Sequence, residues 1–345
     1  MPELTAGLRR ATGDPSVRTT DLQEFDLPHR RPAVGRIRGL AVTCRGSTGA
    51  YDFRLVLKEP RQTGLTLAGS AGPALREALF YRQLAPHLPI RTPLIYAAAP
   101  DGQWLLMEAL ENGCPPETWQ AADYRRAIEQ LLVLQDRFWG LGDDLAVYAW
   151  LNRPLDVGLD VQAQVAEAAA YRLSATLPAV LRHSQVSWDN LFPELIRHMR
   201  AIAAVLSAEH SVLVHGDYWP GNIYMDEKGR MAVYDWQHVS IGPGVLDLLS
   251  FVQYTRWWYP AAVFDEHALV QHYRQGVAEM TGHTWTDDAW QRLWGHALLW
   301  LFLTRWLDVL SSTPASILTA RAEPLISLWL LPVQDWLARL FPEAS

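Results

Sequence analysis

One stretch constrains the fold of this 345-residue chain more than any other: SVLVHGDYWPGNIYMDEKGRMAVYDW, residues 211–236. Its first four residues form a short apolar strand, IYM at 223–225 is a second, and DEKG at Asp226–Gly229 is a tight turn. RMAVYDW then reads as a third strand, ending at Asp235. Between the first two strands, His215, Gly216, Asp217, Pro220, Gly221 and Asn222 crowd into a single loop. The loop leaves one strand and enters a hairpin, and the hairpin brings Asp235 back beside it. β structure on both sides of the loop is therefore required.

The rest of the chain supplies more strands first and helices afterwards. GRIRGLAVTC and YDFRLVLKEP alternate and are β-branched, and RGSTGA between them is turn chemistry, which predicts a hairpin. That alternation puts Phe53, Leu55 and Leu57 on one face and Arg54, Val56 and Lys58 on the other. PALREALFYRQLAPHL has helical spacing, and LIYAAA, PDG and QWLLMEAL predict a second hairpin. ENGCPP at Glu111–Pro116 breaks the pattern, and from there to Glu209 the period is helical. More helices follow Asp265, one with Thr286 as its N-cap and Asp287 and Asp288 in its first turn. The expectation is an α+β chain, with a small β-rich lobe over residues 1–110 and a larger, mainly helical lobe over 111–345.

Composition excludes several classes of function. Hydrophobic residues make up 49% and charged ones 19%, as in a compact globular protein. A net charge of -7 disfavours coating nucleic-acid phosphates, which needs a basic face. Cys44 and Cys114 are in no metal-ligand spacing and suggest no disulfide framework. LWGHALLWLFLT, the most apolar run, is too short to cross a hydrocarbon core of about 30 Å and predicts a buried helix instead. The first thirty residues are rich in charge and lack the apolar segment of a secretory signal. A cytoplasmic protein with small-molecule partners is expected.

His215, Asp217 and Asn222 have the H-x-D-x-x-x-x-N spacing of the kinase catalytic loop. There the aspartate accepts a substrate hydroxyl proton and the asparagine holds magnesium. Oxygen donors from Asn222 and Asp235 suit Mg²⁺, which binds through few protein groups plus phosphates and water. HGDYWPGN, VYDWQ and GPGVLDLLSF closely resemble the aminoglycoside phosphotransferase and choline kinase-like group, which includes the ecdysteroid kinase-like branch and belongs to the protein-kinase-like superfamily. REALFYRQLAPHLPIRTPLIYAA and QWLLMEAL are similar to that group's helix, strand and interlobe linker, and the resemblance runs from about Gly35 to Tyr254.

The resemblance implies a bilobal protein-kinase-like fold and an ATP-dependent phosphotransferase with an alcohol group as acceptor, with GTP as the alternative donor and Mg²⁺ as cofactor. It implies that Lys58 contacts the α- and β-phosphates, that Glu77 pairs with Lys58, and that Met107, Glu108, Ala109 and Leu110 meet adenine through their backbone. Asp217 would be the base, Asn222 and Asp235 the metal ligands, and His215 and Asp247 the braces of the loop. Departures narrow the reading. CRGSTGA lacks the G-x-G-x-x-G spacing of protein kinases, Trp219 stands where Ser/Thr kinases place a lysine, and no A-P-E segment follows. A protein kinase is disfavoured, and the intact polar set argues against a nucleotide-binding pseudokinase.

The acceptor is the open question. Aminoglycosides, choline-like amino alcohols, macrolides and sugars all fit. Trp257, Trp258, Trp285, Trp290, Trp294, Trp300 and Trp306 can box a quaternary ammonium by cation–π attraction or simply pack a core. Asp265, Glu266, Asp287, Asp288 and Asp308 can bind an amine-bearing acceptor or sit as solvated helix ends.

Overall fold

The computed structural model describes residues 2–27, 35–60, 71–181 and 190–342. They form two compact units. One lies within Met1–Pro115, Tyr148–Asn152 and Gly221–Val239, and the other within Pro116–Val147, Arg153–Pro220 and Ser240–Ser345.

The first unit is built on a five-stranded antiparallel sheet of β1 (Arg18–Phe25), β2 (Gly35–Gly46), β3 (Gly49–Pro60), β4 (Ile95–Ala98) and β5 (Leu105–Glu108), in the order β1-β2-β3-β5-β4. Phe53, Leu55 and Leu57 face its core with Leu40, Val42, Tyr96 and Leu106, as the alternation in β3 predicts. That same period leaves Lys58 on the opposite face. Among the described residues, α1 (Pro2–Thr12) and α2 (Pro73–Gln83) are the α-helices of this unit. Leu4 and Leu8 of α1 enter the core, and the helix lies so close to β4 that a Cβ on Gly7 would fall 1.9 Å from the Tyr96 carbonyl oxygen. Neither α1 nor β1 is evident in the sequence. β1, RTTDLQEF, is mostly polar and mostly exposed or half-buried, so its pairing with β2 depends on backbone hydrogen bonds more than on an apolar stripe.

In the second unit, β6 (Ser211–Val214) pairs antiparallel with β9 (Ser240–Pro243); the hairpin of β7 (Ile223–Met225) and β8 (Met231–Val233) belongs to the first unit. Its helices are α3 (Ala121–Arg137), α4 (Gly142–Leu145), α5 (Leu159–Val180), α6 (Leu191–Arg197), α7 (Met199–Ser207), α8 (Val245–Trp258), α9 (Glu266–Thr281) and α10 (Asp287–Leu301). Beyond α10 come α11 (Leu307–Ser311), α12 (Ala315–Ala320), α13 (Ala322–Leu325) and α14 (Leu331–Leu340), with π-helical turns at Phe302–Trp306 and Ile326–Leu330. Thr286 caps α10 as expected, accepting the Ala289 amide at 3.2 Å. The helical period before Glu209 is interrupted at His198, which separates α6 from α7. Among the described residues, no helix is long and apolar enough to cross a membrane.

Candidate active site

Lys58 sits near the end of β3, and its Nζ donates to both carboxylate oxygens of Glu77, at 3.0 and 2.8 Å. It also donates to Asp235 Oδ1 at 2.5 Å. The Glu77 side chain has no exposure, so its charge is sustained only by such partners. Burial works against the Lys58 charge, but Asp235 and Glu77 outweigh it and hold the ammonium above its ordinary range. For Glu77 burial wins, pushing its carboxyl up against the pull of Lys58.

Asp235 reaches Lys58 because the chain turns sharply after β8. Its φ is 65°, in the left-handed region that non-glycine residues rarely occupy. Trp236 holds the turn: its ring stacks on Phe80 of α2 with centroids 4.1 Å apart, and its Nε1 donates to the Val233 carbonyl at 3.0 Å. Arg76, also on α2, donates to the Gln237 carbonyl at 3.1 Å. Sequence reasoning missed both Trp236 and Arg76. VYDWQ contains the tryptophan, but its partner lies on a helix far earlier in the chain.

Asn222 is buried and ends a 3₁₀ turn just before β7; its carbonyl accepts the Tyr234 amide at 3.1 Å. Since Ile223 pairs with Val233, Asn222 and Asp235 share one end of the hairpin. Among the described residues, no group of three or more His, Cys, Asp and Glu is arranged to hold a metal. An amide oxygen and a carboxylate are hard donors, however, and two such ligands fit Mg²⁺, which keeps water and phosphate in its remaining positions.

The linker residues are tied to the sheet. Met107 pairs with Val56, the Glu108 amide donates to the Leu94 carbonyl at 2.8 Å, and the Ala109 amide donates to the Arg54 carbonyl at 3.0 Å. Leu110 follows outside β5. The β2–β3 turn is tied as well. Ser47 gives its amide to Ser16 Oγ at 2.7 Å, and the Thr48 amide and hydroxyl both go to Asp14 Oδ2, at 3.4 and 3.2 Å. The Ser47 and Thr48 amides are thus already donated, and the Asp14 carboxylate lies against the turn.

In the second unit the loop after β6 is held by side chains of the loop and of α8. Asp247, buried in the first turn of α8, accepts the His215 amide at 2.7 Å on Oδ2 and the Gly216 amide at 2.9 Å on Oδ1. The Asp217 amide donates to His215 Nδ1 at 3.2 Å, which puts any ring proton on Nε2. Tyr218 anchors the next position by donating its hydroxyl to the Ala127 carbonyl at 2.6 Å. Burial pushes the Asp247 carboxyl up to about 7; the two donated amides and Arg305 pull it down, while Asp217 adds to the rise. Asp217 itself is half-buried.

Trp257, Trp290, Trp300 and Trp306 are buried core residues. The faces of Trp257 and Trp258 carry the Arg321 guanidinium, 5.3 and 5.5 Å from the ring centroids, so a cation of the chain itself already covers them. Four of the five acidic candidates are engaged too. Asp265 caps α9, Glu266 pairs with Arg256 at 2.8 Å, Asp287 with Arg274 at 2.8 Å and Asp308 with Arg172 at 3.2 Å. A cavity of about 520 Å³ between α5 and α6, bordered by Tyr171, Phe192 and Arg197, holds none of the candidate site residues.

No curated protein matches the chain in sequence. Among solved structures, an ethanolamine kinase from Plasmodium vivax is similar over 94% of this chain and 83% of its own, at 12% identity and a TM-score of 0.54. An aminoglycoside-3′-phosphotransferase of type VIII is similar over 88% of this chain and 98% of its own, at 17% identity and a TM-score of 0.50. LicA, a choline kinase from Streptococcus pneumoniae, in complex with AMP is similar over 96% of this chain and 97% of its own, at 9% identity and a TM-score of 0.50. These likenesses establish the fold as α+β and protein-kinase-like. The sequence pattern of the phosphotransferase enzyme family, APH, matches residues 43–294. With most of its length inside that pattern, the chain belongs to the phosphotransferase enzyme family.

Proposed function

We propose that this phosphotransferase moves the γ-phosphoryl group of ATP to a hydroxyl of a small molecule. The observation that carries the reading is the Lys58–Glu77–Asp235 cluster. A fully buried glutamate fixing a lysine, which in turn meets the carboxylate at the end of a hairpin, is a costly arrangement for a chain with no phosphate to hold. Lys58 would bind the α- and β-phosphates, held in reach by Glu77. The amides of Glu108 and Ala109 already serve the sheet, and the backbone of the Met107–Leu110 segment would meet adenine. Asn222 and Asp235 would hold Mg²⁺, which when bound neutralises charge on the phosphate oxygens. Asp217 would accept the acceptor's proton as its oxygen bonds to the γ-phosphorus and the bond to the β-phosphate oxygen breaks, releasing ADP.

That the similar structures include an aminoglycoside phosphotransferase and an ethanolamine kinase supports a small hydroxylated acceptor. A screen of amino alcohols, aminoglycosides, macrolides and sugars for ADP release with Mg-ATP tests the proposal. Acceptor-dependent ADP release with a phosphorylated product is the expected result. Phosphorylation of peptides alone, or nucleotide binding without turnover on any acceptor, would refute it.

A further inference from the structure

Asp217 is attached to a peptide group whose two polar atoms are each held by a side chain. Its N–H donates to His215 Nδ1 at 3.2 Å. Its carbonyl, that of Gly216, accepts from Arg305 at 2.8 Å. One residue back, the Gly216 N–H goes to Asp247 at 2.9 Å, and Gly216 has a φ of 77°, a conformation that costs a residue with a Cβ. Three side chains from three separate parts of the chain therefore fix the backbone that presents Asp217.

Arg305 is the unexpected member, since it lies 88 residues beyond Asp217 in a π-helical turn, Phe302–Trp306. A π turn inserts an extra residue into a helix and re-aims the side chains around it, and such turns are frequent at functional sites. Its surroundings are rigid. Trp306 packs against Tyr254, Trp257 and Trp329 at centroid distances of 5.3, 5.0 and 4.4 Å, and Thr304 donates to the Trp300 carbonyl at 2.8 Å. A guanidinium donating to a carbonyl is a charge-assisted bond, stronger than a neutral one. It also places positive charge near the buried Asp247 and Tyr254.

We propose that Arg305 is a positioning residue which, with His215 and Asp247, fixes the peptide group carrying Asp217. The proposal rests on the reading of Asp217 as the base, and the two can fail separately. An error of about 1 Å in the placement of a reacting group can cost as much as 100-fold in rate, so a loosened loop should show in kcat. Arg305→Met in the full chain should speed hydrogen exchange in the peptide spanning residues 211–222 while leaving that of 121–137 unchanged. Arg305→Lys, which keeps a donor and a charge, should recover part of the protection. ADP release from Mg-ATP, with water or an acceptor from the screen, should fall roughly 10- to 100-fold in kcat with KM for ATP nearly constant, and again recover in part with lysine. Unchanged exchange at 211–222, or a uniform rise along the whole chain, would overturn the proposal whether or not turnover is measurable. Measured alongside, Asp217→Asn separates the two ideas. Lost turnover in Asp217→Asn with normal kcat in Arg305→Met removes the positioning role alone, whereas turnover retained in Asp217→Asn removes the base, leaving exchange to decide on the clamp.

Discussion

Two buried carboxyls respond to pH in the same direction. Asp247 binds its proton up to about pH 7 in the folded chain, far above the ordinary carboxylate range, because burial outweighs its two amide donors. Between that ordinary range and pH 7 the folded chain holds a proton that the unfolded chain has lost, so this contribution to stability is full at low pH and disappears as pH rises through 7. One such group contributes a slope of about 1.4 kcal/mol per pH unit. Asp247→Asn has no proton to lose and should flatten the decline, which urea unfolding at pH 5, 6 and 7 would show; an unchanged slope would contradict the assignment. Lys58→Met makes a second test, since it strands Glu77 beside Asp235. Stability should fall by about 3–5 kcal/mol at pH 8, the usual cost of an unpaired buried charge, and by less at pH 5, where Glu77 takes up a proton. Equal losses at both pH values would mean that the pair is not coupled in this way.

Among the elements, those with a strong local period were readable in advance. The β2–β3 and β7–β8 hairpins carry alternation and turn residues, and α10 carries Thr286 before a helical run. Thr286→Ala should cost about 1 kcal/mol, the usual value of an N-cap, measurable by denaturant unfolding. Elements that depend on a distant partner were not readable. β9 is four residues whose identity as a strand comes from β6, and α1 contributes Leu4 and Leu8 with a glycine chosen by the nearness of Tyr96. Gly7→Ala should therefore destabilise the chain by about 1–3 kcal/mol, as overpacking does, although alanine is the better helix former. A stabilised variant would show that α1 does not lie against β4. The same limit explains the site. Asp217, Asn222 and Asp235 stand in one short motif, whereas Trp236 needs Phe80, and Arg305 needs a π turn that no local pattern announces.

On the scale of the whole molecule, the proposed work is divided between the two units. Lys58, Glu77, the Met107–Leu110 segment, Asn222 and Asp235 belong to the first, and His215, Asp217 and Asp247 to the second, with the chain passing from one to the other between Pro220 and Gly221. Nucleotide binding and proton removal should then be separable by single substitutions. Asp235→Ala should weaken Mg-dependent ATP binding more than metal-free binding in calorimetric titrations; equal effects would remove Asp235 from the metal. The most direct test of the central claim is Asp217→Asn, assayed for both ATP affinity and turnover with an acceptor from the screen. The account predicts a kcat lower by about 10²- to 10⁴-fold with ATP affinity nearly unchanged. Turnover at the original rate would contradict it.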